Sequence, residues 1–536
     1  MLYDLDFLKP GAIFPPRSEL MRLETYRQNK LLFEHRLQEV FSAYLERIRG
    51  IVNKFADVDW TMLGRDIYSL DFDYFELLSV KTADLVVGES PTITVKPQEG
   101  QDRDEEDETA DGQTAEAEEN LKRILEWTSL DEKLIPLLID ISRYGDAVVR
   151  AYTEAKRTEE GEKTIGNFTI ISPEIWFPVV DREVKEHRLF DVLAWVVCEN
   201  PEEEHRERQR HTLHVQVHSA GKYTSAEYEL KEVNPFKKLE DGSECDIRRF
   251  KIVRMIGTER EKPTGFDGSA IQDFHNVTAS DCIFGINDYD RICAIIAELG
   301  VRYTLEGLIL DRHTAPTMAV DEENFFQTKD GSWTAQVGGV MKVGSDGTYP
   351  QYITWDASLQ ANHTMIEKLE KHLYSLSEMG AVLNDDSFGA SQGFEALETR
   401  MTNARLKARR LGSLLVTPLK KLIATVSEVG YAPVKTDDLS VKFHDGLPIT
   451  ESRRIDLAVR EAGGPIKDVS TVLQERFGKT KKEADAIAAA VSSVRNNPFE
   501  TGFFNVPTDE DDNDAQDGRN SGVPPDIGSG DGAGQE

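Results

Sequence analysis

The sequence predicts an α+β protein whose strand-rich first half precedes a second half built on long helices. Short runs with strand-like composition recur between residues 148 and 255, separated by polar turns. Apolar residues at three- and four-residue steps then mark long helices at 287–312 and 357–379, with a strand-like stretch at 315–355 between them. A chain of 536 residues is long enough for two to four domain-sized units.

The composition argues against several classes of protein. The chain contains 63 basic and 96 acidic residues, and its net charge of -33 does not suit a protein that coats nucleic acid by neutralising phosphates. No 18-residue apolar run and no signal-peptide pattern occurs, so we expect a protein made inside a cell without a membrane partner. The cysteines lack paired or metal-ligand spacing and predict reduced thiols: Cys198, Cys245, Cys282 and Cys293.

The N-terminal segment is predicted to combine helices with one acidic loop. Helical spacing of apolar residues predicts a single helix over 18–55, and a second helix from residue 71 that gives way to an extended segment at 91–95. The predicted acidic loop covers 99–119, because residues 101–119 include ten acidic residues and one arginine. Such a run is typical of a solvated, mobile loop.

The next region is predicted to form most of the strands. A helical pattern over 120–144 ends at Tyr144-Gly145-Asp146. Five strand-like runs follow, at 148–149, 168–171, 192–197, 213–217 and 249–255. One run contains His211, His214 and His218, but on a strand the last two would lie about 13 Å apart. No Cys or carboxylate stands at ligand spacing beside them, so we expect neither a metal nor a cofactor.

The C-terminal third begins with a small-residue segment at 381–393 that predicts a flexible loop. A third long helix is predicted from residue 394 to about 426, with a kink between Gly412 and Pro418. A strand at 441–445 follows this helix. Two or three short helices are then expected within 451–494, before an acidic, glycine-rich tail that predicts disorder.

Several segments, taken in order, resemble one known family. Residues 82–91 (TADLVVGESP) are similar to its N-terminal helix and glycine-proline turn, 141–149 to its Tyr-Gly-Asp strand entry, and 171–174 to its Ser-Pro-Glu turn. The most telling segment is 391–397 (SQGFEAL), which continues towards 405–410 (RLKARR). It is similar to a junction where a loop that enters a central tunnel passes into a long helix.

Over residues 60–445 the chain resembles the portal proteins of tailed bacteriophages, the head-tail connector family. The resemblance implies a portal-protein fold with an α/β wing, a two-helix stem, a small β-rich clip, a tunnel loop, a long kinked helix and a helical crown. The implied boundaries are 1–262 for the N-terminal helix and wing, 263–312 for the wing-to-stem connection and first stem helix, 313–356 for the clip, 357–380 for the second stem helix, 381–393 for the tunnel loop, 394–448 for the kinked helix and a return strand, 449–496 for the crown and 497–536 for the tail. The acidic insertion and the acidic tail depart from the family's pattern.

The resemblance implies a structural protein without enzymatic activity or cofactor. Its subunits would form a ring, expected to contain twelve copies, around a channel through which double-stranded DNA enters and leaves the capsid. The implied partners are other copies of the chain, the DNA, terminase, the major capsid and scaffold proteins, and head-tail connector or adaptor proteins. The implied location is the portal vertex of the virion, after assembly in the host cytoplasm. Another ring-forming capsid or connector protein is the alternative.

An enzymatic alternative finds little support in the motifs. Gly478-Lys479-Thr480 suggests a phosphate-binding loop, but such a loop needs glycine five residues before its second glycine, where this chain has Leu473. No HExxH or GxSxG motif is present. The sequence therefore favours a non-enzymatic role.

The implied tunnel loop carries candidate residues for proximity to DNA: Asn384, Asp385, Asp386 and Ser387. In a ring, each aspartate would repeat around the axis and form an acidic ring that lets the duplex slide. The alternative is that these residues only make the loop soluble.

A basic cluster follows in a segment, 399–427, that contains no acidic residue. Its candidates for a subunit interface or for DNA contact are Arg400, Arg405, Lys407, Arg409 and Arg410. Contact with DNA phosphates, ion pairing with the next subunit and plain solvation all remain open. Pairing with the next subunit is favoured, because a ring needs a heterologous interface whose two faces differ.

Overall fold

The computed structural model has a mixed α+β architecture, which confirms the predicted fold class. It describes residues 1–41, 46–47, 50, 74–96, 108–158, 161–203, 205, 208–233, 247–314, 317–319, 325–327, 333–335, 351–353, 359–383, 401–444, 451–462, 468–477, 479 and 481–495. The chain divides into two compact units, Met1–Leu447 and Pro448–Glu536.

The larger described sheets are antiparallel and lie in the first unit. The strands are, in chain order, β1 (Ile13–Phe14), β2 (Thr92–Val95), β3 (Asp146–Thr158), β4 (Gly161–Ile171), β5 (Trp176–Val180), β6 (Arg188–Cys198), β7 (His211–Ser219), β8 (Lys222–Glu232), β9 (Phe250–Pro263), β10 (Ile271–His275), β11 (Thr317–Ala319), β12 (Phe325–Gln327), β13 (Trp333–Ala335), β14 (Gln351–Ile353) and β15 (Leu439–Lys442). One sheet has the order β1-β9-β8-β7-β6-β5, and another has the order β10-β3-β4. The strands predicted between residues 148 and 255 are all confirmed, although most are longer than expected.

Helices surround the three-stranded sheet and complete the fold. The described helices are α1 (Leu20–Phe33), α2 (Leu37–Val40), α3 (Tyr74–Val87), α4 (Glu108–Thr128), α5 (Leu130–Tyr144), α6 (Cys293–Thr314), α7 (Leu359–Leu376), α8 (Gly380–Leu383), α9 (Thr402–Ser427), α10 (Glu451–Ala462), α11 (Val469–Phe477) and α12 (Lys481–Arg495). The main hydrophobic core packs α3, α5, α6 and α9 against β3, β4 and β10. A second core links the six-stranded sheet to the N-terminal segment through Phe7 and Phe14.

The single helix expected over 18–55 is wrong, because α1 ends at Phe33. His35 adopts a left-handed conformation with φ of 60°. The amides of residues 35 and 36 then bond back to carbonyls of the last helical turn, which closes the helix end in a Schellman arrangement. Glycine is the usual residue at that position, so a histidine there gives no sequence signal for the break.

The acidic loop expected over 99–119 is wrong from residue 108 onward, where the chain belongs to α4. Residues 99–107 lie outside the described part. Alanine, glutamate and glutamine in this segment have high helix propensity, and buried Leu121 and Ile124 attach the helix to the main core. An acidic composition was a poor reason to exclude a helix whose anchor lies further along the chain.

The two long helices predicted in the second half are confirmed as α6 and α7, with ends that differ by a few residues. They run antiparallel, because Tyr303 bonds Glu370 (Oη to Oε1, 2.5 Å) while Asn362 bonds Glu306 (Nδ2 to Oε2, 3.0 Å). Between the helices, β11 pairs with β14 and β12 pairs with β13. This arrangement confirms the short strands expected in that region.

Helix α9 begins at Thr402 in the described part, whereas the predicted start at residue 394 lies outside it. The helix continues through Pro418. A Cβ added at Gly412 would lie 3.0 Å from Cβ of Phe443, so this glycine permits close packing against the segment that follows β15. The kink stays a prediction. The strand expected at 441–445 is confirmed as β15, which pairs with β2.

The second unit contains three helices within its described residues, as predicted for 451–494. Helices α10 and α11 contact each other, and α11 contacts α12. Ala458, Val472 and Ala484 are buried in this unit. None of the helices that the structure describes in either unit combines the length and apolar character needed for a membrane crossing.

Candidate functional site at the helix junction

The start of α6, the end of α7 and the first half of α9 meet around one buried ion pair. The ammonium group of Lys407 lies 2.9 Å from a carboxylate oxygen of Asp288, and the Lys407 side chain is only 4% exposed. Lys407 also donates to the carbonyl of Ser377 at 3.4 Å. Asp288 accepts further bonds from Ser142 Oγ (2.8 Å) and Asn276 Nδ2 (3.3 Å). Both charges are therefore compensated, as a buried ion pair requires.

The rim of this junction is formed by a second carboxylate, Glu378. It lies just after α7 in a left-handed conformation, with φ of 60°. Its carboxylate lies 2.5 Å from Arg410 of α9 and 3.8 Å from Arg291, which precedes α6. The same three chain segments are thus joined twice, once in the interior and once at the surface.

The segment that contains the predicted tunnel loop leaves from this junction and returns to it. Met379 precedes α8 and is fully buried, and Met401 precedes α9 and is 4% exposed. Both belong to the main core. The residues between them that lie outside the described part, 384–400, are therefore held at each end by a buried methionine.

The chemistry of the junction suits a structural joint. Lys407 and both oxygens of Asp288 are occupied by partners, so neither group is available as a free acid or base. No group of three His, Cys, Asp or Glu residues in the described part of the chain is arranged to bind a metal ion. A saturated ion pair of this kind can fix the direction of the two antiparallel helices relative to α9.

The predicted site residues fall in different environments. Asn384, Asp385, Asp386, Ser387 and Arg400 lie outside the described residues. On α9, Arg405 is half-buried, Arg409 is exposed and Arg410 pairs with Glu378. Lys407 requires a correction: its burial and its pair with Asp288 do not fit contact with DNA or with another subunit. The spacing of basic residues gave no sign of this, because the acidic partner lies 119 positions earlier in the chain.

Comparison with known proteins gives little beyond this geometry. No family profile matches the chain, and no curated protein matches it. Among solved structures, the chain is similar to one in the "Neck of native GTA particle computed with C12 symmetry". The TM-score is 0.37 and the identity is 9%, over 75% of this chain and 87% of that chain. A TM-score of that size establishes neither a shared fold nor a shared function.

A second buried polar cluster centres on Asp146, in the Tyr144-Gly145-Asp146 segment singled out in the sequence. Gly145 has φ of 85°, and a Cβ there would lie 2.3 Å from the carbonyl oxygen of Gly285. This close approach brings the Gly285 amide to within 2.8 Å of Asp146 Oδ1. The same carboxylate accepts hydrogen bonds from Tyr26 Oη and from His275 Nδ1, the latter at 2.5 Å.

His275 continues this network to a second carboxylate. Its Nε2 lies 2.5 Å from Asp273, which also receives a bidentate pair of hydrogen bonds from Arg188. Arg188 lies 3.2 Å from Asp191, and Asp191 in turn accepts a hydrogen bond from Trp176 Nε1 at 2.9 Å. The network therefore links the six-stranded sheet to the three-stranded sheet through alternating charges.

The charges in this network stabilise one another. Burial by itself would lower the pKa of His275, but the hydrogen bonds and charges of Asp146 and Asp273 raise it to about 9. Burial likewise acts to raise the pKa of Asp273, yet hydrogen bonds from His275 and Arg188 hold it well below its usual range. His275 is therefore a cation at neutral pH.

Sequence analysis missed this network almost entirely. His275, Asp273 and Arg188 come from strands that are distant in sequence, and only the segment around Gly145 signalled a special position. The histidines on β7 have packing roles instead: His214 stacks on Trp195 and His218 stacks on Tyr223. Burial and the charge of Arg150 lower the pKa of His218 to about 4, so this side chain is neutral at pH 7.

Proposed function

We propose that this chain is a portal protein that forms a ring-shaped channel for double-stranded DNA at one vertex of a bacteriophage capsid. The observation that carries the proposal is the antiparallel pair α6 and α7, which bears small two-stranded sheets between its far ends. Both helices begin or end at one ion-paired junction, where the predicted tunnel loop also starts and α9 follows. This order of parts matches the one that the sequence resemblance implies.

In this proposal α6 and α7 are the stem and β11 to β14 belong to the clip. The stem and clip would protrude from the capsid and present a surface to terminase during packaging and to connector proteins afterwards. The fold of the first unit would provide the wing, and α10 to α12 the crown. Scaffold and major capsid proteins would contact the ring from outside.

The proposed mechanism is geometric and electrostatic, without catalysis. Residues 384–387 would lie near the DNA, with the two aspartates repeated around the ring. An acidic wall repels the duplex and lets it slide, whereas a wall of cations would hold it. The junction of Lys407 with Asp288 supports this role, because it would keep the stem in a fixed direction while DNA moves past.

The first test is negative-stain electron microscopy of the purified chain, with mass photometry for the number of subunits. We expect rings of about twelve copies with a central opening wide enough for a DNA duplex. A chain that remains monomeric in solution and also fails to form rings when expressed with its scaffold protein would contradict the proposal.

A second test concerns the tunnel loop. Deletion of residues 384–391 should leave ring assembly intact and reduce the DNase-resistant DNA in assembled heads. The matched control removes eight residues within 234–246, between β8 and β9, and should package normally. Rings that package as well after the first deletion as after the control would remove the role given to Asp385 and Asp386. Such rings would favour another capsid or connector component.

A further inference from the structure

One face of α9 combines exposed leucines with cations. The exposed positions repeat at three- and four-residue steps and form what we call the basic stripe: Leu406, Arg409, Arg410, Ser413, Leu414, Thr417 and Lys421. Leu406 is 54% exposed and Leu414 is 42% exposed. No acidic residue occurs anywhere in 399–427. In a chain with a net charge of -33, this face stands out both in its charge and in its apolar surface.

The chain does not neutralise the whole of this stripe by itself. Arg410 pairs with Glu378 at one end. At the other end, no described carboxylate lies within ion-pair distance of Lys421. Two half-exposed leucines beside such cations are suited to a surface that combines acidic groups with some apolar contact.

A face of α4 carries the opposite charge. Its exposed residues include three glutamates on one side of the helix, which we call the acidic face: Glu116, Glu119 and Glu126. The ends of this face are ten residues apart, about 15 Å on a helix, and the cations Arg409 and Lys421 are twelve residues apart, about 18 Å. The segment that precedes this face is also rich in acids, since residues 101–119 hold ten of them. The two faces are therefore similar in length and opposite in sign.

We infer that the basic stripe of one copy binds the acidic face of α4 on the next copy, so that these two surfaces form the contact between neighbouring subunits. This inference rests on the proposed ring and names its interface. A contact of the stripe with itself would place like charges together, which disfavours a two-fold dimer. A contact between two different faces is heterologous, and repeated contacts of that type close into a ring when the rotation allows it.

The experiment exchanges the charges of the two faces. One variant carries Arg409→Glu and Lys421→Glu, a second carries Glu116→Lys and Glu126→Lys, and a third carries all four changes. We expect each of the first two to leave at least tenfold fewer subunits in rings by mass photometry, with an unchanged circular dichroism spectrum. The third should restore rings, because opposite charges face each other again. The matched control, Arg260→Glu with Lys262→Glu on β9, changes the net charge equally and should assemble normally.

Three outcomes would overturn the inference. Rings of the first variant as abundant as those of the unchanged chain would remove the stripe from the interface and leave the portal proposal standing. Failure of the fourfold variant to restore rings would show that the acidic face is not the partner. Intact rings of the first variant that retain less DNA would assign the stripe to DNA contact. By contrast, loss of rings in the unchanged chain itself would count against the portal proposal as well.

Discussion

Lys407 illustrates how a single buried charge can connect distant parts of a chain. Its ammonium group has no access to solvent, so its pair with Asp288 and its bond to Ser377 replace hydration. Removal of one member of such a pair leaves the other charge buried without compensation, which costs more than the pair itself contributes. The stability of the junction should therefore depend on both residues together.

We predict that Lys407→Met lowers the free energy of unfolding of the first unit by about 3–5 kcal/mol. The double variant with Asp288→Asn should lose less than the sum of the two single changes, because neither charge then remains alone. Urea unfolding followed by tryptophan fluorescence measures both effects. The control Lys421→Met, exposed on the same helix, should change stability by less than about 0.5 kcal/mol. A Lys407→Met loss as small as that of the control would show that the pair does not hold the junction.

His275 gives the second residue-scale prediction, which concerns pH. Its pKa is raised from 6.5 to about 9 in the folded chain by Asp146 and Asp273. The resulting stabilisation is fully present below pH 6.5 and is lost as the pH rises through 9. We expect the loss between pH 6.5 and pH 10 to be on the order of 3 kcal/mol, since each pKa unit corresponds to about 1.4 kcal/mol.

The measurement is the free energy of unfolding between pH 6 and pH 10, compared with the variant His275→Gln. The variant removes the titrating group while other groups continue to titrate, so the difference between the two curves isolates His275. That difference should be greatest near neutral pH and shrink above pH 9. Parallel curves would show that the imidazole carries no additional proton in the folded chain.

At the scale of elements, the sequence predicted helices and strands well where one face is regularly apolar. The strands of the six-stranded sheet and the pair α6 and α7 show such patterns, because burial of one face imposes a period on the sequence. The end of α1 at His35 and the helical state of α4 could not be predicted in that way. A left-handed histidine and a core anchor twelve residues away both depend on contacts that a local pattern does not contain.

The candidate site shows the same limit more strongly. Basic residues on α9 were correctly expected to have acidic partners, but the pattern could not reveal that Lys407 points inward and that its partner is Asp288. The glycine at position 145 was recognisable as a special turn, whereas its contact with Gly285 and the network around Asp146 join four separate strands and loops. Side chains that meet only through tertiary structure leave no periodic trace in the sequence.

At the scale of the whole molecule, the two units differ in how much apolar surface they bury. The described cores of the first unit include residues from Leu2 to Val441. The second unit buries Ala458, Val472 and Ala484 and leaves apolar side chains half-exposed on α10 and α12, with Val459 at 64% and Ile455 at 48%. A small unit with so few large buried side chains has little hydrophobic stabilisation of its own.

We therefore predict that a chain truncated after Leu447 keeps the fold of the first unit. Its free energy of unfolding in urea should lie within about 1 kcal/mol of the value for the main transition of the full chain, because every described residue of its hydrophobic cores is retained. In the full chain, amide hydrogens of 451–495 should exchange faster than those of α9, since local opening is easiest where little apolar surface is buried. Hydrogen exchange followed by mass spectrometry compares the two segments in one experiment. Equal protection of both segments, or aggregation of the truncated chain, would show that the second unit is an integral part of the main fold.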